Sequence, residues 1–330
     1  MRRYLLKRLL QMVPTFFGIT ALTFFAAQLA PGDPLQLDPE GASAQVDAHQ
    51  ALDAFRQRHG LDQPMVVQYA RWVGKVAVFD FGRSLHDHRP VSELLAEALP
   101  RTLLLTTLAL LLAFGLALPL GVQGAVKEGS WAARLLSGAL FMVYAMPAFW
   151  VAVMALLLFS SPRFLGWLPF QGLTSEGFAS LSFAGKAADL AAHLLLPVLC
   201  LAYPTLSVVA VQVRSAMRSA LSQDYVRAAR ARGIPERRVV YRHALRNSLL
   251  PLTTLLGLTL PNLVGGSVVV ERVFGIPGMG LLAFDAIANR DYPVVMGVAT
   301  LVALVTMLSV LAADLLYAVA DPRVRVGGEA

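Results

Sequence analysis

One cysteine in 330 residues excludes a disulfide scaffold. Charge is scarce too: 15% of residues are Asp, Glu, Lys or Arg, against about 25% in an ordinary soluble domain. Scarce charge with 56% hydrophobic residues excludes a disordered chain, because such chains are polar and charge-rich. The 25 glycines and 19 prolines follow no period, which excludes collagen-like and low-complexity sequences. No G-x-x-x-x-G-K-[ST] run occurs, so the chain lacks that phosphate-cradling loop. Ribonucleoprotein-type aromatic motifs and zinc-finger spacings are missing as well. The net charge of +7 and pI near 9.8 therefore do not point to nucleic acid.

What is present is long apolar sequence. Six uncharged runs stand out: Leu9–Gly32, Thr102–Val126, Leu135–Pro162, Leu190–Val213, Asn247–Val270 and Tyr292–Ala313, each at least 22 residues long. A bilayer-spanning helix needs about 20 apolar residues. A soluble all-helical protein would need six fully buried helices and has little polar surface here to cover them. The sequence thus predicts an all-α integral membrane protein with six transmembrane helices. Met1–Arg8 is basic, but the 24-residue run after it exceeds the roughly 7–15 residues of a cleavable signal core. It reads as an uncleaved first span.

Charge then sets the orientation. With both termini cytoplasmic, the inner segments hold 17 basic and five acidic residues, and the outer segments 11 basic and 15 acidic. The positive-inside rule favours this arrangement, and the basic face meets anionic lipid of the bilayer. The chain divides into residues 1–100, a first span plus a large outer segment, and 101–330, a five-helix core. The outer segment carries a helical pattern over 44–58, with Ala48, Leu52 and Phe55 on one side. Residues 64–82 fit a short helix or a strand equally well. Residues 91–99 read as a helix leading into span two, with Pro100 at the junction. GIPGMG, residues 275–280, reads as turn chemistry before a short apolar helix at 281–288.

The inner loop 214–246 is the most charged stretch. LSQDYVRAARAR, residues 221–232, is a helix candidate with Asp224 early in it, where a carboxylate suits the helix dipole. Gly233 is a plausible stop and Pro235 prevents continuation. A second helix runs from Glu236 toward Leu250, with Arg238, Arg242 and Arg246 stacked beside Tyr241, Leu245 and Leu249. The small residues Ala228, Ala229 and Ala231 would let another protein approach the backbone closely. The bland alternative is a solvated basic loop that only fixes topology.

At this point the chain resembles a known family. YVRAARARG followed by RHALRNSLLP is similar to the cytoplasmic EAA-type loop of ABC importer permeases. The triplet is Arg227–Ala228–Ala229, with Gly233 in register. Arg227 replaces the usual glutamate, and Arg246, after Leu245, replaces the usual proline. Both departures resemble the B-type permeases of dipeptide, oligopeptide and nickel importers. YLLKRLLQMVPTFFGITALTFFAAQLAPGDP, HGLDQPMVVQYARWV, FGRSLHDHRPVSELLAEALPRTLLL, VVVERVFGIPGMGLLAFDAI and DLLYAVADPRVR are similar to other parts of that subgroup, in order along nearly the whole chain.

The resemblance implies a type I importer permease fold. It implies a second, C-type permease, two cytoplasmic ATPase subunits and an extracytoplasmic solute-binding protein as partners. It also implies that this chain is not an enzyme and holds no cofactor, with ATP and Mg bound by the ATPases. Asp224, Tyr225, Arg227, Ala228, Ala229, Gly233, His243 and Leu245 would form the ATPase-coupling loop. The expected cargo is a di- or oligopeptide, with nickel or another small solute as the alternative.

A stand-alone ion-coupled transporter would use intramembrane acids or histidines. Here the runs offer only Asp314, adjoining the last run, and His193, which reads as interfacial. An intramembrane protease would need paired acids or a Ser–His pair. Ser207, Ser215 and Ser309 have no nearby base in sequence. His86 and His88 flank Asp87, but two ligands in a loop do not make a metal site. Cys200 reads as a packing residue.

Overall fold

The computed structural model describes residues 2–29, 63–259 and 262–320. The helical pattern at 44–58 and the polar tail from residue 321 lie outside the described residues. Among the described residues the chain is helical, with no β-strand. The helices are α1 (Arg2–Leu29), α2 (Met65–Val76), α3 (Val91–Val126), α4 (Trp131–Ala145), α5 (Ala148–Ser160), α6 (Phe183–Leu221) and α7 (Asp224–Ala231). They continue with α8 (Glu236–Arg238), a π-helical stretch (Val239–Ala244), α9 (Leu245–Ser248), α10 (Leu250–Thr259), α11 (Asn262–Gly265), α12 (Val268–Val273), α13 (Met279–Ala288) and α14 (Tyr292–Ala320).

Parts of α1, α3, α6 and α14 are each long and apolar enough to cross a membrane. The third uncharged run is a bent pair: α4 and α5 meet at 96°. Met146 and Pro147 leave the helical conformation there, and the Tyr203 hydroxyl donates to the Met146 carbonyl at 2.9 Å. Bends at proline need such a donor, because a freed carbonyl in an apolar environment is costly. The fifth run, expected as one span, leaves the helical conformation at Gly266 and Ser267, just before α12. Residues 64–82 resolve the helix-or-strand question as α2. Pro100 does not mark a junction: it sits inside the continuous α3.

The chain forms two compact units, Met1–Leu99 with Leu282–Met307, and Pro100–Leu281 with Leu308–Ala330. In the first, α1 packs on α2 through rings: Phe24 lies 5.6 Å from Tyr69 and 5.9 Å from Trp72. The Tyr69 hydroxyl donates to the Phe17 carbonyl at 3.1 Å. Buried Asp291 accepts from Ser84 Oγ and from the backbone N–H groups of Leu85 and His86, at 3.1 and 3.3 Å, which fixes the turn before α3.

In the second unit α3 and α6 approach closely. Ala109, Ala113, Ala117, Gly121 and Ala125 recur every four residues on one face of α3, and the four alanines are buried. A Cβ at Gly121 would stand 2.5 Å from Val213 Cβ and 2.7 Å from the Ala210 carbonyl. In lipid, apolar burial drives association weakly, so small residues that admit close backbone packing carry more of it. Toward one end, Met217, Val226, Val239 and Val240 join a buried cluster. Another cluster holds Leu105, Leu194, Cys200, Phe274 and Ile276, which gives Cys200 its place as a packing residue.

Candidate functional site: the α7 loop

α7 is built by its ends and one face. Asp224 opens it and lies 3.4 Å from the Arg227 guanidinium one turn on. Its last turn closes on Gly233, whose φ of +72° suits glycine and strains other residues. The Gly233 N–H donates to the Arg230 carbonyl at 2.9 Å and the Ile234 N–H to the Ala229 carbonyl at 3.3 Å. These are the two bonds of a Schellman stop. Pro235 then begins the return segment through α8.

The buried face of α7 is Val226 and Ala229, three residues apart and both 0% exposed. They pack in one cluster with Val239, Val240, Ala244 and Met217, where Leu245 and Ile234 also rest. The wider π-helical turn lets Val239, Val240 and Ala244 all turn inward. The helix is therefore fastened to the end of α6 and to the return segment. Full burial of Val226 is worth about 1.5–2 kcal/mol. The sequence pattern puts Ala228 and Ala229 together on a face open to another protein. Ala229 instead faces its own chain, while Ala228 stays exposed with Tyr225, Arg227 and Arg232. The close fit that Ala229 permits is internal.

Charge is distributed unevenly around the turn. Arg230 grips Glu236 with two bonds, Nε–Oε2 at 3.1 Å and Nη2–Oε1 at 2.6 Å. That hydrogen bond holds the Glu236 carboxyl below its usual range and raises the Arg230 guanidinium. Both groups are half-exposed, so the pair contributes at most about 1 kcal/mol. With Glu236 spent, no carboxylate lines the open groove of about 580 Å³ formed by Pro235, Arg237, Arg238, Tyr241 and Arg242. His243 is half-buried on the π-helical stretch. All eight residues read from the sequence thus lie on α7, its stop or the return segment.

Elsewhere, His86 pairs with Asp87 at 2.9 Å on the surface, and that carboxylate raises the imidazole pKa. His193 is buried among its own chain, with Nδ1 2.8 Å from the Asp189 carbonyl. Sequence reasoning missed Glu271, which is 0% exposed. Thr102 Oγ1 donates to its Oε1 at 3.0 Å and the Leu281 N–H to its Oε2 at 2.8 Å. Thr102 in turn accepts from the Met279 N–H at 2.7 Å, so together they cap the start of α13. Cβ atoms at Gly278 and Gly280 would come within 2.7 and 2.9 Å of the carboxyl group. Two glycines in GIPGMG thus make room for a carboxylate. Spacing could have hinted at that, but Thr102 is too far away in sequence to suggest itself.

Residues 99–326 match the family described as binding-protein-dependent transport system inner membrane component. Residues 1–106 match the N-terminal part described for the membrane component of the same systems. The oligopeptide transport system permease protein of Bacillus subtilis is 38% identical over 325 residues, 98% of this chain and 99% of its own length. The di/tripeptide transport system permease protein of Pseudomonas aeruginosa is 38% identical over 338 residues, again 98% and 99%. The dipeptide transport system permease protein of Escherichia coli is 36% identical over 343 residues, with the same coverage. The chain is a multi-pass inner-membrane permease subunit and not an enzyme. It belongs to the inner membrane components of binding-protein-dependent transport systems, the permeases of ABC importers.

Proposed function

We propose that this chain lines half of the route by which di- or oligopeptides enter the cell, handed over by an extracytoplasmic binding protein. A second, C-type permease supplies the other half. Two cytoplasmic ATPase subunits bind ATP and Mg and drive the cycle. The observation that carries the reading is the near end-to-end match to permeases named for oligopeptides, di/tripeptides and dipeptides.

The geometry of α7 supports a coupling role. A lever must be stiff and must present a surface. α7 is stiffened by the burial of Val226 and Ala229 and by its Schellman stop. It presents Tyr225, Arg227, Ala228 and the arginine groove. Closure of the ATPases pushes on α7, and the spans alternate between outward-open and inward-open states. Arginine suits a partner surface that offers carboxylates, because it pairs with them bidentately.

A tagged pull-down from native membranes, read by mass spectrometry, tests this assembly. A second permease and P-loop ATPases are expected in stoichiometric amounts, together with a binding protein whose ligand names the cargo. Nickel or another small solute on that protein would replace the peptide. A chain that purifies alone and moves solute without ATP would overturn the importer reading.

A further inference from the structure

The break in the fifth apolar run is costly and needs a reason. Between α11 and α12 the chain leaves the helix at Gly266, φ +65°, and Ser267, which is extended. Non-helical backbone at membrane depth is tolerated only where it is buried in protein or lines a water-filled cavity. Here it lines a cavity of about 210 Å³, whose wall includes Thr106, Leu201, Thr205, Thr259, Gly266 and Ser267. Leu201 and Thr205 fall in the middle third of the run 190–213, and Thr259 in the middle third of 247–270. The cavity therefore extends to the middle of the apolar runs that form its wall.

Its wall mixes four hydroxyls and one glycine with three leucines and an alanine, and carries no charge. Three hydroxyls are committed. Thr106 donates to the Leu263 carbonyl at 2.9 Å, which satisfies backbone near the break. Thr259 donates to the Leu256 carbonyl at 2.8 Å, and Ser267 accepts from the Val270 N–H as the α12 cap. Thr205 alone among these has no hydrogen bond within the described residues. Behind the wall, a Cβ at Gly266 would stand 2.5 Å from the Glu271 Oε1, so the buried carboxylate backs the segment that forms the cavity edge.

We infer that this cavity is a contact station for cargo, where the Thr205 hydroxyl and the backbone around Gly266 meet the main chain of a passing peptide. The inference rests on the peptide reading above. A hydroxyl that both donates and accepts matches an amide group of either polarity. An uncharged lining does not select among cargo side chains by charge. The volume is below the roughly 300–1,000 Å³ of a pocket that holds a whole ligand, so the station takes part of a peptide at a time. Glu271 acts on the station as a positioning residue.

The test uses the complete permease–ATPase complex with its binding protein in proteoliposomes, and labelled dialanine as probe. In the T205C variant, ATP-driven uptake is measured before and after a charged, membrane-impermeant methanethiosulfonate. It is measured again after reductant. The station predicts loss of uptake on modification and its return on reduction, a cycle that misfolding does not produce. Wild type, whose sole Cys200 is buried, keeps its uptake under the same treatment. T205V, which removes only the hydroxyl, raises KM for the dipeptide about fivefold, the worth of one neutral hydrogen bond. Failure of the reagent to reach the introduced thiol, or full uptake by the modified protein, overturns the station alone. Failure of the unmodified complex to import dialanine overturns the peptide reading and the ligand class with it.

Discussion

Replacing Gly233 with valine isolates the stop of α7. A Cβ added there meets nothing within 4 Å, so the substitution introduces no clash with neighbours. The cost is purely of backbone. At φ +72° an L-residue pays about 1–2 kcal/mol, and a β-branched one lies at the upper end or beyond. The chain can escape by leaving the left-handed region, but it then gives up the bonds from Gly233 and Ile234. Two neutral bonds are worth about 1–3 kcal/mol net. Either route costs about 2 kcal/mol, which shifts the α7 end about thirtyfold away from its native form. The buried clusters of the spans are untouched, so assembly and melting of the complex should stay close to wild type. Asparagine tolerates this backbone region, so G233N should be mild, G233A intermediate and G233V severe. The assay is the ratio of peptide imported to ATP hydrolysed in proteoliposomes. The account expects that ratio to fall in the order Gly, Asn, Ala, Val. Wild-type coupling in G233V at normal assembly would refute the reasoning.

Other consequences are as direct. A229L forces a larger side chain into a fully buried site and should lower the melting temperature of the complex, at a cost of about 1–3 kcal/mol. A228E, on the exposed side of the same helix, should leave melting unchanged but reduce co-purification of the ATPases. E271A strips the partner from Thr102 and from the Leu281 N–H and should destabilise by about 3 kcal/mol, measured by thermal unfolding in detergent, with T102V smaller in the same direction. Because Glu236 is held below its unfolded pKa, its contribution is present above the ordinary carboxylate range and is lost as pH falls through the lower folded value. Protease sensitivity of the loop in wild type should therefore converge on that of E236Q only in acid; a difference that persists there would contradict the pairing.

Much of this was readable from local pattern. Uncharged runs are long-range statistics that tolerate single errors, and they located the helical cores of α1, α3, α6 and α14. The end of α7 was readable because glycine followed by proline is a chemical signal confined to three residues. Proline inside a run was not decodable. Pro100 and Pro119 lie within an unbroken α3, and Pro197 and Pro204 within an unbroken α6, yet the chain bends at Pro147. The bend has a distant partner in Tyr203, 57 positions from Met146, whose hydroxyl donates to the Met146 carbonyl. The burial of Ala229 follows the same logic, since it depends on a π-helical stretch that propensity does not announce. Glu271 was invisible as a site because its meaning comes from Thr102, 169 positions earlier. The division between readable and unreadable features follows sequence separation.

The central claim is that this permease converts ATP hydrolysis elsewhere in the assembly into peptide import. The most direct measurement is uptake of labelled dipeptide by the purified complex in proteoliposomes, with binding protein outside and ATP at the ATPase face. The account predicts accumulation against a gradient that requires both ATP and the binding protein. Accumulation that continues without ATP, driven by a proton or sodium gradient, would contradict it.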